Sequence, residues 1–220
     1  MRRGADARLV IARESLLETL PPFGGTALKR IEKGEAGAIR VEFGFAETPF
    51  GECLLATRDG LICHLSFQEE TERSRAIEEL GQHWPNLAAT ADDLRARTLV
   101  RALLSPTTPA PMLAPGLAPG LAPELAPGLA LTGTPFQHEV WRMLQRVPSG
   151  SLTTYGAIAR AIGAPSASRA VGAAVGANRI AWLIPCHRVV QQNGQLGGFR
   201  WGVARKRLLL SYEQTTCQKG

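Results

Sequence analysis

The chain has 220 residues, 45% of them hydrophobic and 20% charged, with a formal net charge of +6 and a pI near 9.6. This is a globular composition, long enough for two small domains, and no apolar run approaches the length needed to span a membrane. Four scattered cysteines, Cys53, Cys63, Cys186 and Cys217, exclude a secreted disulfide scaffold, and Met1-Arg2-Arg3-Gly4-Ala5-Asp6 lacks the apolar core of a signal peptide. Reduced cysteines and a cytoplasmic location are expected. The positive balance suits a polyanionic partner without identifying one.

Residues 1–37 read as an N-terminal extension with a short helical stretch over residues 14–20, broken by Pro21, Pro22, Gly24 and Gly25. From Ala38 the pattern becomes strand-like, placing Ile39, Val41, Phe43 and Phe45 on one face. A turn at Thr48, Pro49, Phe50 and Gly51 leads into a second strand over residues 52–57, and Asp59-Gly60 predicts a tight hairpin into a third over residues 61–67. Helices are predicted over residues 70–82, with Ala76, Ile77 and Leu80 apolar, and over residues 91–104, with Leu94, Leu99, Val100, Leu103 and Leu104. Residues 38–104 thus form a support domain of antiparallel sheet and helices. Cys53, Cys63, His64 and His83 fall within it, but no Cys-x-x-Cys pair occurs, so packing rather than zinc binding is their expected use.

Residues 105–132 break the composition. Leu113-Ala114-Pro115-Gly116 recurs as a tetrapeptide as far as Gly128, once with Glu124 in place of glycine. A proline every fourth residue prevents a continuous helix, so this stretch is expected to be an extended linker.

The second domain, residues 133–220, opens with Thr134 as N-cap, Pro135 at the first helical position and Gln137 closing a capping box. Phe136, Val140, Trp141 and Leu144 give that helix an apolar face, ending at Pro148-Ser149-Gly150. Thr154 caps a short helix from Tyr155 to Ile162; Gly163 and Pro165 break it, and a second helix starts at Ser166 or Ser168 and runs towards Ala177. The pair reads as a helix-turn-helix. Its second helix is built from Ala170, Gly172, Ala173, Ala174, Gly176 and Ala177, with Arg169 as its large polar side chain. Glycines cost helix stability, so something must approach this backbone closely: either a flat or narrow ligand or another helix.

Residues 184–190, Ile-Pro-Cys-His-Arg-Val-Val, carry the chemistry. A thiolate is a strong nucleophile, and Cys186 has His187 and Arg188 beside it to favour ionisation; Trp182, Leu183, Ile184, Val189 and Val190 give the surroundings a low dielectric. Alone, a cysteine in an apolar run is usually a buried small hydrophobe.

These motifs together resemble one family. Gly133-Thr134-Pro135-Phe136-Gln137, Val140-Trp141, Thr154-Tyr155-Gly156, Arg169-Ala170-Val171-Gly172, Gly176-Ala177-Asn178, residues 184–190 and Gly198-Phe199-Arg200-Trp201-Gly202 are similar, in order and spacing, to the methylated-DNA:protein-cysteine methyltransferases, also called O6-alkylguanine-DNA alkyltransferases. The likeness runs from about residue 133 to residue 213; a weaker one covers residues 39–104, and residues 28–45 resemble the connector of larger adaptive-response (Ada-like) proteins. It implies a two-domain α/β (α+β) fold, with a ribonuclease-H-like N-terminal domain and a C-terminal winged helix-turn-helix-like domain. It further implies irreversible, once-only transfer of the alkyl group from O6-methylguanine, and less efficiently O4-methylthymine, to Cys186, in a monomer with no cofactor and no metal.

The resemblance also assigns roles. His187 deprotonates Cys186 through a water, Glu213 orients His187, Tyr155 assists the departing guanine, and Asn178 ties together the turn before the active-site segment. Ser168, Arg169, Ala170, Gly172 and Ala173 belong to a recognition helix in the minor groove of double-stranded DNA, with Arg169 filling the gap left by a flipped-out nucleotide. Tyr155, Val189, Phe199 and Arg200 form the substrate pocket, Arg200 through its backbone amide. Phe199 departs from the tyrosine of many relatives, which removes a hydroxyl and keeps a ring. A damage sensor that transfers nothing would lack the acceptor cysteine, a transcriptional regulator would display base-reading side chains on the second helix, and a cysteine hydrolase would need motifs beyond Cys-His-Glu.

Overall fold

The computed structural model describes residues 28–30, 38–84, 86–104 and 128–217. The predicted helix at residues 14–20 and the proline repeat up to residue 127 lie outside them. Strands β1 (Leu28–Arg30), β2 (Ile39–Thr48), β3 (Gly51–Arg58), β4 (Leu61–Phe67), β5 (Leu87–Ala91) and β6 (Leu129–Leu131) form one sheet in the order β1-β6-β4-β3-β2-β5. Its centre is the expected antiparallel β2-β3-β4 meander. Asp59 and Gly60, at φ 51° and 74°, make the two-residue turn between β3 and β4, the twist that matches flanking strands.

The edges of the sheet depart from the sequence reading. Residues 87–91 pair in parallel with β2, so the second helix begins at Asp93 rather than at residue 91. Leu-Ala-Ala-Thr-Ala is mostly exposed and shows no apolar alternation, so only its backbone pairing defines it as a strand. Leu129–Leu131, which composition assigned to the linker, is a buried strand parallel to β1 and β4. The last proline of the repeat is Pro127, so each residue of Leu129–Leu131 has an N–H for a ladder.

Helices α1 (Arg73–His83) and α2 (Asp93–Leu104) cover opposite faces of the sheet. A short 3-10 turn, Glu70–Glu72, precedes α1. On one face Ile39, Val41, Leu54 and Ala56 pack with Ala76, Leu80 and Trp84. Gly44 lets β2 pass beneath the start of α2, where a Cβ would stand 2.5 Å from the carbonyl oxygen of Asp92. The other face, with Leu55, Leu65 and Phe67, shares one apolar core with α2 and with the C-terminal region.

That region contains α3 (Pro135–Arg146), α4 (Tyr155–Ala161), α5 (Ser168–Gly176), α6 (Val203–Cys217) and the two-stranded parallel pair β7 (Thr153–Thr154) and β8 (Val189–Val190). The capping box at Thr134 and Gln137 is present in both directions, and the Thr154 hydroxyl accepts from the Ala157 N–H as predicted. The Trp141 indole donates to the Ala174 carbonyl at 2.9 Å, locking α3 to α5. The two regions are also joined by backbone. Leu65 donates to the Arg179 carbonyl at 3.0 Å and Ala181 to the Leu65 carbonyl at 2.8 Å, so the segment after α5 adds to β4 where β6 stops. Among the described residues no helix is long and apolar enough to cross a membrane, and no cluster of three or more His, Cys, Asp or Glu side chains could hold a metal.

His64, on β4, is buried, and burial together with the positive charge of His83, Arg179 and Arg200 pushes its pKa down from 6.5 to about 3. The unfolded chain therefore binds a proton that the folded one refuses, and stability present above pH 6.5 is lost as pH falls towards 3. His64→Gln should flatten the dependence of unfolding free energy on pH across that window; an unchanged slope in chemical denaturation would exclude His64 as its source.

Candidate active site

The segment between α5 and β8 is wound tightly around Cys186. Leu183 donates to the Ala181 carbonyl at 2.6 Å and Cys186 to the Ile184 carbonyl at 2.7 Å, closing two successive three-residue turns. Pro185, at φ −79° and ψ 58°, centres the second with the low-energy geometry. Trp182 centres the first at φ 63°, the rarer and more strained hand for a non-glycine residue. Its ring is held 5.7 Å from that of Phe50, at the β2-β3 turn, so the N-terminal sheet supports the strained position. A 3-10 turn over Cys186–Arg188 then feeds β8.

Asn178 ties this loop to the end of α5. Its Oδ1 accepts from the Ile180 N–H at 2.9 Å, while its Nδ2 lies 3.1 Å from the carbonyls of Ile180 and Ile184 and 3.2 Å from the Cys186 sulfur. Two amide hydrogens serve three acceptors, so one hydrogen bond is shared. Burial pushes the Cys186 thiol up to about 11, against the Asn178 hydrogen bond and the positive charges of Lys206 and Arg200, which favour the thiolate.

Behind the cysteine lies a buried ionic cluster. His187 Nε2 is 2.7 Å from Glu213 Oε1, and the Arg188 guanidinium embraces the same carboxylate, Nη2 at 2.7 Å from Oε1 and Nε at 3.0 Å from Oε2. Arg188 Nη1 also donates to the Val147 carbonyl, and the Gly150 N–H donates to Glu213 Oε2 at 3.2 Å. Burial opposes ionisation of Glu213, but the hydrogen bond and charge of His187 and the charge of Arg188 outweigh it and bring its pKa to about 2. Burial also lowers the pKa of His187, with Glu213 pulling the other way. His187 Nδ1 is buried and makes no hydrogen bond to another described group.

Cys186 and Asn178 open onto a cavity of about 380 Å³. Tyr155 and the α5 positions Gly172, Val175 and Gly176 form one wall; Gly198, Phe199, Arg200 and Trp201 form the other. The Phe199 and Trp201 rings meet edge to face at 5.2 Å, and Arg200 donates from Nε and Nη2 to the Gly176 carbonyl at 3.3 and 3.2 Å, bridging the walls. Burial, then Cys186, raises the pKa of Tyr155, keeping its hydroxyl protonated. On the outer face of α5, Arg169, Ala170, Ala173 and Gly176 are exposed and Ser168 is half-buried. A Cβ at Gly176 would meet nothing within 4 Å, and one at Gly172 only the Tyr155 ring at 3.8 Å, so packing within the protein does not demand these glycines.

The sequence-predicted residues Cys186, His187, Glu213, Asn178, Tyr155, Phe199 and Arg200 thus come together. Val189 does not line the cavity: it is fully buried in β8 behind the nucleophile, paired with Thr153. Arg188 engages Glu213 rather than the sulfur. One residue was missed. Lys206 is wholly buried on α6, its ammonium donating to the carbonyls of Val189 at 2.6 Å and Leu196. The available signal was its position in a helical stripe with Leu209, Leu210 and Glu213, all buried.

Residues 135–215 match the family of the 6-O-methylguanine DNA methyltransferase, DNA binding domain. The chain is 35% identical over 195 residues to the bifunctional transcriptional activator/DNA repair enzyme Ada of Escherichia coli K12, covering 87% of this chain and 50% of that one. It is 33% identical over 187 residues to the methylated-DNA–protein-cysteine methyltransferase of Mycolicibacterium paratuberculosis, covering 79% of this chain and 93% of the relative. The Mycobacterium tuberculosis OGT structure in complex with DNA superposes with a TM-score of 0.59 at 31% identity, over 80% of this chain and 94% of that one. The chain belongs to the methylated-DNA–protein-cysteine methyltransferase family. It spans about half the length of Ada and of several other curated relatives it matches.

The ionic cluster makes a direct prediction. Glu213→Gln leaves Arg188 buried with no full counter-charge, which should lower the unfolding free energy by about 3–5 kcal/mol. A loss below about 1 kcal/mol in chemical denaturation, the range of an exposed pair, would contradict the cluster.

Proposed function

We propose that this protein repairs DNA by direct reversal, moving the alkyl group of O6-alkylguanine, and less efficiently of O4-alkylthymine, irreversibly onto Cys186. The observation that carries the reading is the cysteine on the cavity floor, backed by a buried His187-Glu213 pair. His187 takes the thiol proton through a bridging water at Nδ1, the ring nitrogen left free by Glu213. The sulfur attacks the alkyl carbon, a C–S bond forms as the C–O bond breaks, and the guanine leaves with its negative charge on the purine. The Tyr155 hydroxyl, on the cavity wall, donates a proton to the departing base. The thioether is stable and no group in the cavity is arranged to cleave it, so each molecule acts once. The step needs no metal and no organic cofactor.

Cys186 is only 5% exposed, so a guanine stacked in a duplex cannot reach it. The nucleotide is therefore extruded into the cavity between Tyr155 and Phe199, with the Arg200 backbone amide at guanine O6. Helix α5 lies along the minor groove, and Ser168, Ala170, Gly172 and Ala173 keep it slim enough to enter; Arg169 takes the space vacated by the base. The exposed small residues of α5, which no internal packing requires, support this placement. Residues 38–104 serve as the supporting domain and residues 133–220 as the alkyltransferase domain. The protein acts as a monomer in the cytoplasm.

Cys186→Ala should bind an O6-methylguanine duplex and leave the lesion intact; transfer at the wild-type rate by that variant would sink the mechanism. Arg169→Ala should slow transfer from duplex DNA by about tenfold or more while leaving transfer from free O6-alkylguanine base unchanged, because only the duplex requires extrusion. Equal losses on both substrates would argue against a role in extrusion.

A further inference from the structure

A second cavity of about 360 Å³, between α1 and the outer wall of the first, shares Arg200 and Trp201 with it. Arginines here are mostly answered by acids: Arg75 holds Glu72 and Glu79, and Arg205 holds Glu69. Arg179 and Arg200 are the exceptions. Among the described residues neither pairs with a carboxylate, and the Arg179 side chain makes no hydrogen bond. Both stand at the C-terminal end of α5. Arg200 reaches the carbonyl of Gly176, the last position on the exposed face of that helix, and Arg179 follows three residues later. The backbone there is pinned, with the Arg179 carbonyl accepting from Leu65 at 3.0 Å and the Asn178 side chain accepting from Ile180 at 2.9 Å. Arg179 is half-buried, and burial, then the charge of Arg200, lowers its pKa. Glu79 pulls the other way, but its carboxylate already faces Arg75 at 3.4 Å. The negative end of the α5 dipole favours cations, which accounts for Arg200 on the Gly176 carbonyl. Arg179 is left as a guanidinium with an open fork and no anion to answer it.

Resting on the alkyl-transfer reading above, we propose that Arg179 and Arg200 form a paired phosphate-binding site that grips the DNA backbone at the C-terminal end of α5. The nine residues of that helix span about 13 Å, the rise of about four base pairs. Arg169, at the other end, works at the vacated stack; this pair works on the backbone away from it. Phosphate contacts fix the register of a protein on a duplex and carry no sequence information. The pair therefore strengthens binding to damaged and undamaged DNA by the same factor. A purely structural role for either arginine would leave the salt dependence of binding untouched.

The test is the affinity of the Cys186→Ala protein, which leaves the lesion intact, for O6-methylguanine and undamaged duplexes between about 50 and about 200 mM salt, read by fluorescence anisotropy. Arg179→Gln, Arg200→Gln, Arg179→Lys and Arg40→Gln are each added to it. Each of the first two should lower the slope of log affinity against log salt by about 0.9, so that its deficit shrinks about 3.5-fold across that range, equally on both duplexes. Arg179→Lys keeps the charge and should keep the slope. Arg40→Gln removes the same charge from an exposed position on β2 and should also leave the slope unchanged. An unchanged slope in either Arg179→Gln or Arg200→Gln, or a fall that Arg40→Gln matches, overturns the paired site. No partner loses a bond when Arg179 is replaced, so an Arg179→Gln protein that fails to fold would reveal an internal role and overturn the proposal as well. A Cys186→Ala protein that binds neither duplex at the lowest salt overturns the DNA-repair reading itself, and this proposal with it.

Discussion

The buried carboxylate of Glu213 is the interaction on which the site depends. It neutralises Arg188, orients His187 by a 2.7 Å hydrogen bond and reaches back to the Gly150 backbone, so two separate segments converge on one anion. Without it, Arg188 would be an unpaired buried charge and His187 would have no reason to present Nδ1 rather than Nε2 away from the carboxylate. The same anion is costly to bury, and His187 and Arg188 are what keep it ionised. The site is thus held by a charge cluster whose members cannot be removed one at a time.

The second constraint is geometric. Cys186 sits at the end of two tight turns, one of them strained at Trp182, and such a conformation persists only where its surroundings over-determine it. Asn178 fixes the loop from inside, the Leu65 backbone pairs with it at Arg179 and Ala181, and Phe50 packs on the Trp182 ring. Arg205 adds a further joint, donating to the carbonyls of Phe50 and Trp201 and pairing with Glu69. The N-terminal sheet is therefore part of the active-site scaffold, which explains why one apolar core runs through both regions.

Local signals in the sequence carried most of this. The Thr134-Gln137 capping box, the Asp59-Gly60 hairpin and the Thr154 cap were legible because each is satisfied within a few residues of itself. Cys186 and His187 were legible because polar chemistry inside an apolar run is unusual, and Glu213 because the family resemblance supplied it. What stayed hidden depends on distant partners. Leu87–Ala91 and Leu129–Leu131 are strands only because β2, β1 and β4 lie beside them. Lys206 looks like a surface lysine in Val203-Ala204-Arg205-Lys206-Arg207 until α6 is seen to turn it inward. The family resemblance placed Val189 in the pocket, yet strand pairing turns it behind the wall.

The most direct measurement is intact-protein mass spectrometry after mixing the protein with a short duplex carrying O6-methylguanine, followed by peptide mapping. The account predicts a gain of one methylene unit, confined to the peptide containing Cys186 and saturating at one per molecule. An unmodified protein still bound to the duplex, or a methyl group on any other residue, would contradict it.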